Sequence, residues 1–184
     1  MILPIVAFGA PILRKKCKNI SADYADLSDL LSNMCETMHE ANGVGLAAPQ
    51  INKSIKLFLV DTTSFKDDDE ISNNQIIKKV FINPSIIKES GKEWSYKEGC
   101  LSIPEIREDV IRNSTINISY FDENFKQHID VFDGIVARVI QHEYDHINGV
   151  LFVDRISPLR KRMIKGKLKD IVKGYLKVSY KMRA

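Results

Sequence analysis

The sequence predicts an α+β domain, with mainly antiparallel sheets around a central helix and an amphipathic helix at the C-terminus. Three observations lead there. Apolar residues recur at helical spacing early in the chain, β-like runs follow in a group and are not alternated with helices, and a second helical stretch carries His142, Glu143 and His146. With 184 residues, 44% of them hydrophobic, the chain is long enough for one well-buried core and short for two.

The elements can be justified in order. The opening "MILPIVAFGAPIL" is apolar, but it lacks a basic leading region, carries two prolines and a glycine, and stops short of a membrane span. It is read as neither signal peptide nor anchor, so a cytoplasmic protein with no membrane contact is expected. After "SADYAD", a cap-like start, Leu27, Leu30, Leu31, Met34, Met38 and Ala41 line one helical face, and Asn42-Gly43 ends it. Short strands are expected in "IKLFLVD", "KKVFINPSII", "TINISYF" and "QHIDVF", the last from the alternation of Ile129 and Val131 with polar neighbours. The polar, acidic stretch 62–75 reads as an exposed loop. A helix beginning near Asp133 carries the H-E-x-x-H pattern and ends at Asn148-Gly149. The closing stretch places Ile164, Leu168, Ile171, Val172, Tyr175 and Leu176 on one face despite Gly166 and Gly174.

Charge is divided unevenly. Residues 158–184 hold ten Lys and Arg against Asp170 alone, a surplus of nine, so against a whole-chain charge of +3 the first 157 residues carry six net negative charges. The chain is therefore expected to comprise a body, 1–157, and a basic C-terminal helix, 158–184, suited to a polyanionic partner. Cys17, Cys35 and Cys100 are too few and too scattered for a disulfide framework, so a special cysteine here would be a ligand or a nucleophile.

The strip "QHEYDH" holds the chemistry. Two histidines four apart on a helix lie one turn above each other and can face one ion, with Glu143 beside them to reach a water on that ion. A polar helix with two incidental histidines explains five residues equally well, so a third ligand must decide. The common helical zinc peptidases supply it downstream, but no Glu follows Glu143 and the next residues are "INGVLFVDRISPLRKR". Upstream, "WSYKEGCLSIPE" puts Cys100 in a turn-like setting. A third strip, "GVGLAAPQ", is too rich in small residues to be packed for its own sake and lacks the Lys-Ser/Thr of a phosphate loop. A tight turn that merely needs unusual φ at Gly43 and Gly45 is its plainest reading.

Together "GVGLAAPQ", "EGCLS" and "QHEYDH" closely resemble the peptide deformylase family in order and spacing, and the resemblance runs over nearly the whole chain. It implies that Cys100, His142 and His146 hold a divalent metal, usually Fe2+, with Zn2+, Ni2+ or Co2+ able to replace it. It implies hydrolysis of the N-formyl group from the initiator methionine of nascent polypeptides, releasing formate. Glu143 would activate a metal-bound water, and the Gln50 amide and Leu101 N–H would stabilise the developing oxyanion. Gly43, Val44 and Gly45 would pair with the extended peptide backbone. Ile135 and Val139, on the turns before His142, are candidates for the methionine pocket and could equally be ordinary core. Arg138 shares that side of the helix, where an apolar residue would have been unsurprising.

The family also pairs Glu98 with Arg112, which suggests a structural role in shaping the Cys100 loop, while two solvated charges would fit the spacing as well. Lys97 has no comparable claim. The family's C-terminal helix is associated with ribosome binding, which gives the basic tail a partner in ribosomal RNA and none in DNA. Two other classes share parts of this pattern: another metallohydrolase such as a peptidase, and a metal-stabilised ribosome-binding protein without catalysis. The missing downstream ligand weighs against the first, and the presence of Glu143 and Gln50 against the second.

Overall fold

The computed structural model describes residues 1–66, 76–175 and 177–183. Most of the stretch expected as an acidic loop, 67–75, and Leu176 of the closing apolar face lie outside the described residues.

Helix α1 spans Leu27–Glu40 and buries Leu30, Met34, Thr37 and Met38, one per turn along one side. Its start differs from expectation. Asp26 occupies the N-cap position with φ 55° and makes no side-chain cap. The chain then enters β2, Gly45–Ala47, and a 3-10 turn, Ala48–Ile51, that carries Gln50. Strand β3, Leu57–Asp61, is buried throughout.

The next two strands are far longer than the short runs predicted. Strand β4 covers Lys78–Cys100 and β5 Ile103–Phe121, and they form one extended antiparallel ribbon. Asn83 and Gly91 sit with positive φ at two of the register shifts that bend this ribbon without ending it. Strand β6, Gln127–Asp133, completes a five-stranded antiparallel sheet in the order β2-β3-β4-β5-β6. In β6 the alternation is present but inverted: Ile129 and Val131 face solvent, while His128, Asp130 and Phe132 are half-buried.

Helix α2, Gly134–Ile147, lies against this sheet. Ile135, Val136, Val139, Ile140 and Ile147 pack on Phe58, Val60, Phe81, Ile116, Ile118 and Tyr120. A second core lies beneath α1, with Ile5, Leu46, Leu57, Leu59 and Ile82. Helix α3, Pro158–Val172, docks through Ile164 and Ile171 onto a third core that includes Val6, Leu13, Ile106, Val110 and Phe152. Burying each isoleucine is worth about 1.5–3 kcal/mol. Ser157 caps α3 by accepting from the Arg160 N–H, and Arg160 clamps buried Glu108 of β5 with two bonds of 2.7 and 2.9 Å.

The expected apolar face of α3 is shortened. The helix stops at Val172, where Gly174 takes φ 70°, and Tyr175 lies beyond it, exposed beside Lys173. The chain then returns as a short strand β7, Met182–Arg183, parallel to β1, Ile5–Val6, near the other terminus.

Candidate active site

The hairpin between β4 and β5 places Cys100. Cys100 pairs with Ile103, so Leu101 and Ser102 form the turn, and just before it the register slips. Gly99 faces the outward-bowed stretch 104–107, where Glu105 adopts φ 60°. That irregularity aims Cys100 toward α2. There His142 and His146 stand one turn apart with ring centroids separated by 5.1 Å. One donor atom from each of Cys100, His142 and His146 lies within 4.8 Å of the others, and Cys100 Sγ is 3.2 Å from His146 Nε2.

A buried lattice of charge holds this group. His142 Nδ1 faces Glu98 Oε2 at 3.0 Å, which leaves Nε2 for a ligand. Glu98 accepts from Arg112 Nε and Nη2 at 2.7 and 3.0 Å and from Arg138 Nη1 at 2.9 Å. Arg112 also donates to Asp145 on α2 at 2.8 Å, and Arg155 binds both Asp145 oxygens at 2.6 Å. Arg138 explains itself here. It is 1% exposed, donates to the carbonyls of Trp94 and Val110, and lies under the Trp94 ring, so it is scaffold for Glu98 as well as part of the cleft wall. The pairing of Glu98 with Arg112 is thus real and buried, and it reaches a metal-site histidine that spacing alone did not suggest.

Gln50 is tied down at both ends. Its Oε1 accepts from the Ala47 N–H at 2.9 Å, and its Nε2 lies 3.3 Å from Ser102 Oγ and 3.6 Å from Cys100 Sγ. Ser102, fully buried, closes the "EGCLS" strip, but its partnership with Gln50 had no signal in the sequence. Asp145 could have been noticed, since it is the one acid between the two histidines of the strip besides Glu143.

Glycine at 43 and 45 is a matter of space and not of φ. Neither has the left-handed backbone expected of a simple turn; instead a Cβ on Gly45 would overlap the Glu143 carboxylate, and one on Gly43 would meet Leu101 Cδ1 at 2.8 Å. The strip therefore lies directly against the helix that bears the reactive group. A cleft of about 770 Å³ is lined by Gly43, Val44, Gly45, Gln50, Cys100, Leu101, Ile135, Val139, His142 and Glu143. His146 lies behind this surface, 1% exposed. Lys97, given no role from the sequence, stands among the lining residues.

Burial and mutual charge set the electrostatics of the group. Burial pushes the Glu143 carboxyl up to about 7, against the pull of the His142 charge. Burial would lower His142, but hydrogen bonds to Cys100 and Glu98 outweigh it and hold it well above the ordinary histidine range. Burial and the neighbouring His142 and Arg112 charges hold His146 well below that range. Burial would raise Glu98, yet Arg112 and His142 hold it far below the usual carboxylate range. Buried Glu143 Oε2 and His146 Nδ1 have no hydrogen-bond partner among the described residues. Soft sulfur and two imidazoles within one ion's reach, with unsatisfied polar atoms beside them, together fit a divalent transition metal.

Fold and site define a hydrolase built around a metal-binding group of one cysteine and two histidines, with a buried carboxylate beside it at the wall of a cleft. The family model for polypeptide deformylases matches residues 2–162. The chain is 53% identical over 188 residues to the peptide deformylase of Christiangramia forsetii, covering 100% of this chain and 96% of that one, and 41% identical over 180 residues to that of Chlorobium luteolum, covering 98% and 92%. Among solved structures, a Plasmodium falciparum peptide deformylase superposes with a TM-score of 0.82 at 36% identity, covering 93% of this chain and 96% of that one. A Legionella pneumophila enzyme gives 0.82 at 35%, covering 95% and 98%. The chain belongs to the peptide deformylase family, hydrolases that remove N-formyl groups from nascent peptides.

Proposed function

We propose that the chain removes the formyl group of the initiator methionine at the cleft between the "GVG" strip and α2, using Cys100, His142 and His146 to hold a divalent ion, with ferrous iron as the ion and zinc, nickel or cobalt as substitutes. The observation that carries this reading is the placement of Glu143. It is buried, lies against Gly45, has an oxygen without a partner among the described residues, and adjoins three metal-type donors without being one of them.

When bound, the ion supplies Lewis acidity and makes a water acidic enough to react near neutral pH. Glu143 accepts the proton from the attacking water and passes it to the departing nitrogen, which leaves as a free amine while formate remains. Gln50 Nε2 and the Leu101 N–H donate to the former carbonyl oxygen as negative charge builds there. One such donor is typically worth about 10²–10³ in turnover. Gly43, Val44 and Gly45 present backbone groups to an extended peptide, so the substrate is gripped without regard to its sequence. Ile135 and Val139, at 7% and 8% exposure on the cleft wall, provide the apolar contact for the methionine side chain.

The body, residues 1–157, carries the chemistry. The basic segment, 158–184, serves as a second unit that brings the enzyme to ribosomal RNA, where formylated chains emerge. Among the described residues no helix is long and apolar enough to cross a membrane. A cytoplasmic enzyme meeting its substrate at the ribosome is consistent with that.

The test is formate release from a formyl-methionyl tripeptide by anaerobically prepared, iron-loaded protein. One formate for each new amine is expected, with the internal peptide bonds left intact. Cleavage of an internal bond would instead make the chain a peptidase.

A further inference from the structure

The C-terminal segment returns to the hairpin that bears Cys100. The Ile5 N–H donates to the Lys181 carbonyl at 2.8 Å and the Ala7 N–H to the Arg183 carbonyl at 2.7 Å, which locks β7 beside β1. Just ahead of β7, Tyr180 Oη donates to the Leu101 carbonyl at 2.7 Å. The next carbonyl, of Ser102, accepts from the Phe8 N–H at 2.8 Å. Both carbonyls of the two-residue turn are therefore held, one by each end of the chain, and those two ends are paired with each other. Tyr180 also lines the cleft, and it lies beyond residue 162, where the match to the family model stops.

We propose that Tyr180 is a positioning residue for deformylation: by holding the Leu101 carbonyl it restrains the backbone torsions at Leu101, and so the direction of the Leu101 N–H in the preceding Cys100–Leu101 peptide, toward the oxygen on which charge develops. This rests on the reading of Leu101 as an oxyanion donor. The physical argument is angular. Hydrogen bonds weaken steeply as they bend, and the stabilising power of an oxyanion donor depends on its being aimed before the reaction. The Leu101 N–H lies one Cα before the anchored carbonyl, and on its other side Cys100 is paired with Ile103; with the Leu101 carbonyl held as well, the torsions at Leu101 are restrained from both sides and with them the direction of its N–H. Burial and the nearby Cys100 push the Tyr180 phenol up to about 12, so it remains a donor across the working range. The tail thus belongs to the active site as well as to the surface.

The test uses the full-length, nickel-loaded enzyme and Tyr180→Phe, which removes one oxygen and keeps the ring packed. Turnover of a formyl-methionyl tripeptide should fall about tenfold, a fraction of what loss of a whole donor costs. KM should stay within about twofold, and the melting temperature should hardly move. Amide hydrogen exchange at Leu101 and Ser102 should quicken while exchange in α2 stays unchanged. Unaltered kcat in the variant overturns the proposal, and so does unaltered exchange at the turn. A rise in KM that matches the loss in kcat/KM would also overturn it, since the effect would then lie in substrate binding. If the unmodified enzyme released no formate, the reading of function would fail, and the exchange measurement would still decide whether Tyr180 holds the turn.

Discussion

Around α2 the charged side chains of Glu98, Arg112, Arg138 and Asp145 are each at most 6% exposed and are bonded to one another, whereas along α3 Lys161, Arg162, Lys165, Lys167 and Lys169 all stand exposed. Both regions are dense in charge, but only the first has given up its water. Buried ions cost several kcal/mol each to desolvate, so every one near Cys100 depends on its partners. The result is a rigid frame that orients His142. The charges of α3 carry no such obligation and stay available to an outside polyanion. Arg160 marks the boundary, since it is committed to Glu108 and serves docking of the helix.

The sharpest way to break this contrast is Glu98→Ala. It would take the shared carboxylate from Arg112 and Arg138, leaving them only Asp145 and two carbonyls, and remove the partner of His142 Nδ1, at a cost of about 3–5 kcal/mol in stability and 10- to 100-fold in metal affinity. Lys165→Ala, by comparison, should shift stability by no more than about 0.5 kcal/mol. Thermal melts and metal titrations on both variants check the pair, and equal effects would erase the distinction. Cys100→Ser should weaken metal retention or change its preference, because a hydroxyl is a harder and far less acidic donor than a thiol. Metal content after dialysis is the measurement, and unchanged content with unchanged turnover would remove Cys100 from the ligand set. The smallest effect on the isolated enzyme is expected from reversing Lys165, Lys167 and Lys169 together to glutamate. Peptide turnover should hold, while co-sedimentation with ribosomes should drop and lose its steep dependence on salt. Reversal is a cleaner probe than deletion, which would also remove β7 and Tyr180.

The same contrast explains what could be read from the sequence. Repetition at fixed spacing made α1, α2 and the docking face of α3 legible, because Leu30, Met34 and Met38, or Ile164 and Ile171, report burial directly through their period. The grouping of Cys100, His142 and His146 within one ion's reach was legible through strips whose order and spacing resemble the family's. The length of β4 and β5 was not, since bulges such as that at Gly91 carry the ribbon on past residue 87, and a bulge is set by pairing across strands that the sequence does not display. Nor did the alternation in β6 reveal which side faces water, because Ile129 and Val131 obey the period while pointing outward. Glu98 as a partner of His142, Ser102 as a partner of Gln50 and Tyr180 as a partner of Leu101 were equally hidden. Each is a commonplace polar residue whose partner lies 44, 52 or 79 positions away.

The claim on which all of this turns is that Glu143 moves a proton and does not hold the metal. Glu143→Ala, prepared with the native ion and assayed in parallel for metal stoichiometry and formate release, tests it most directly. The account predicts one ion per chain, as in the unmodified enzyme, with turnover reduced about 10²- to 10⁴-fold, the range expected for loss of a general acid–base group. Loss of the ion along with activity, or turnover close to that of the unmodified enzyme, would contradict it.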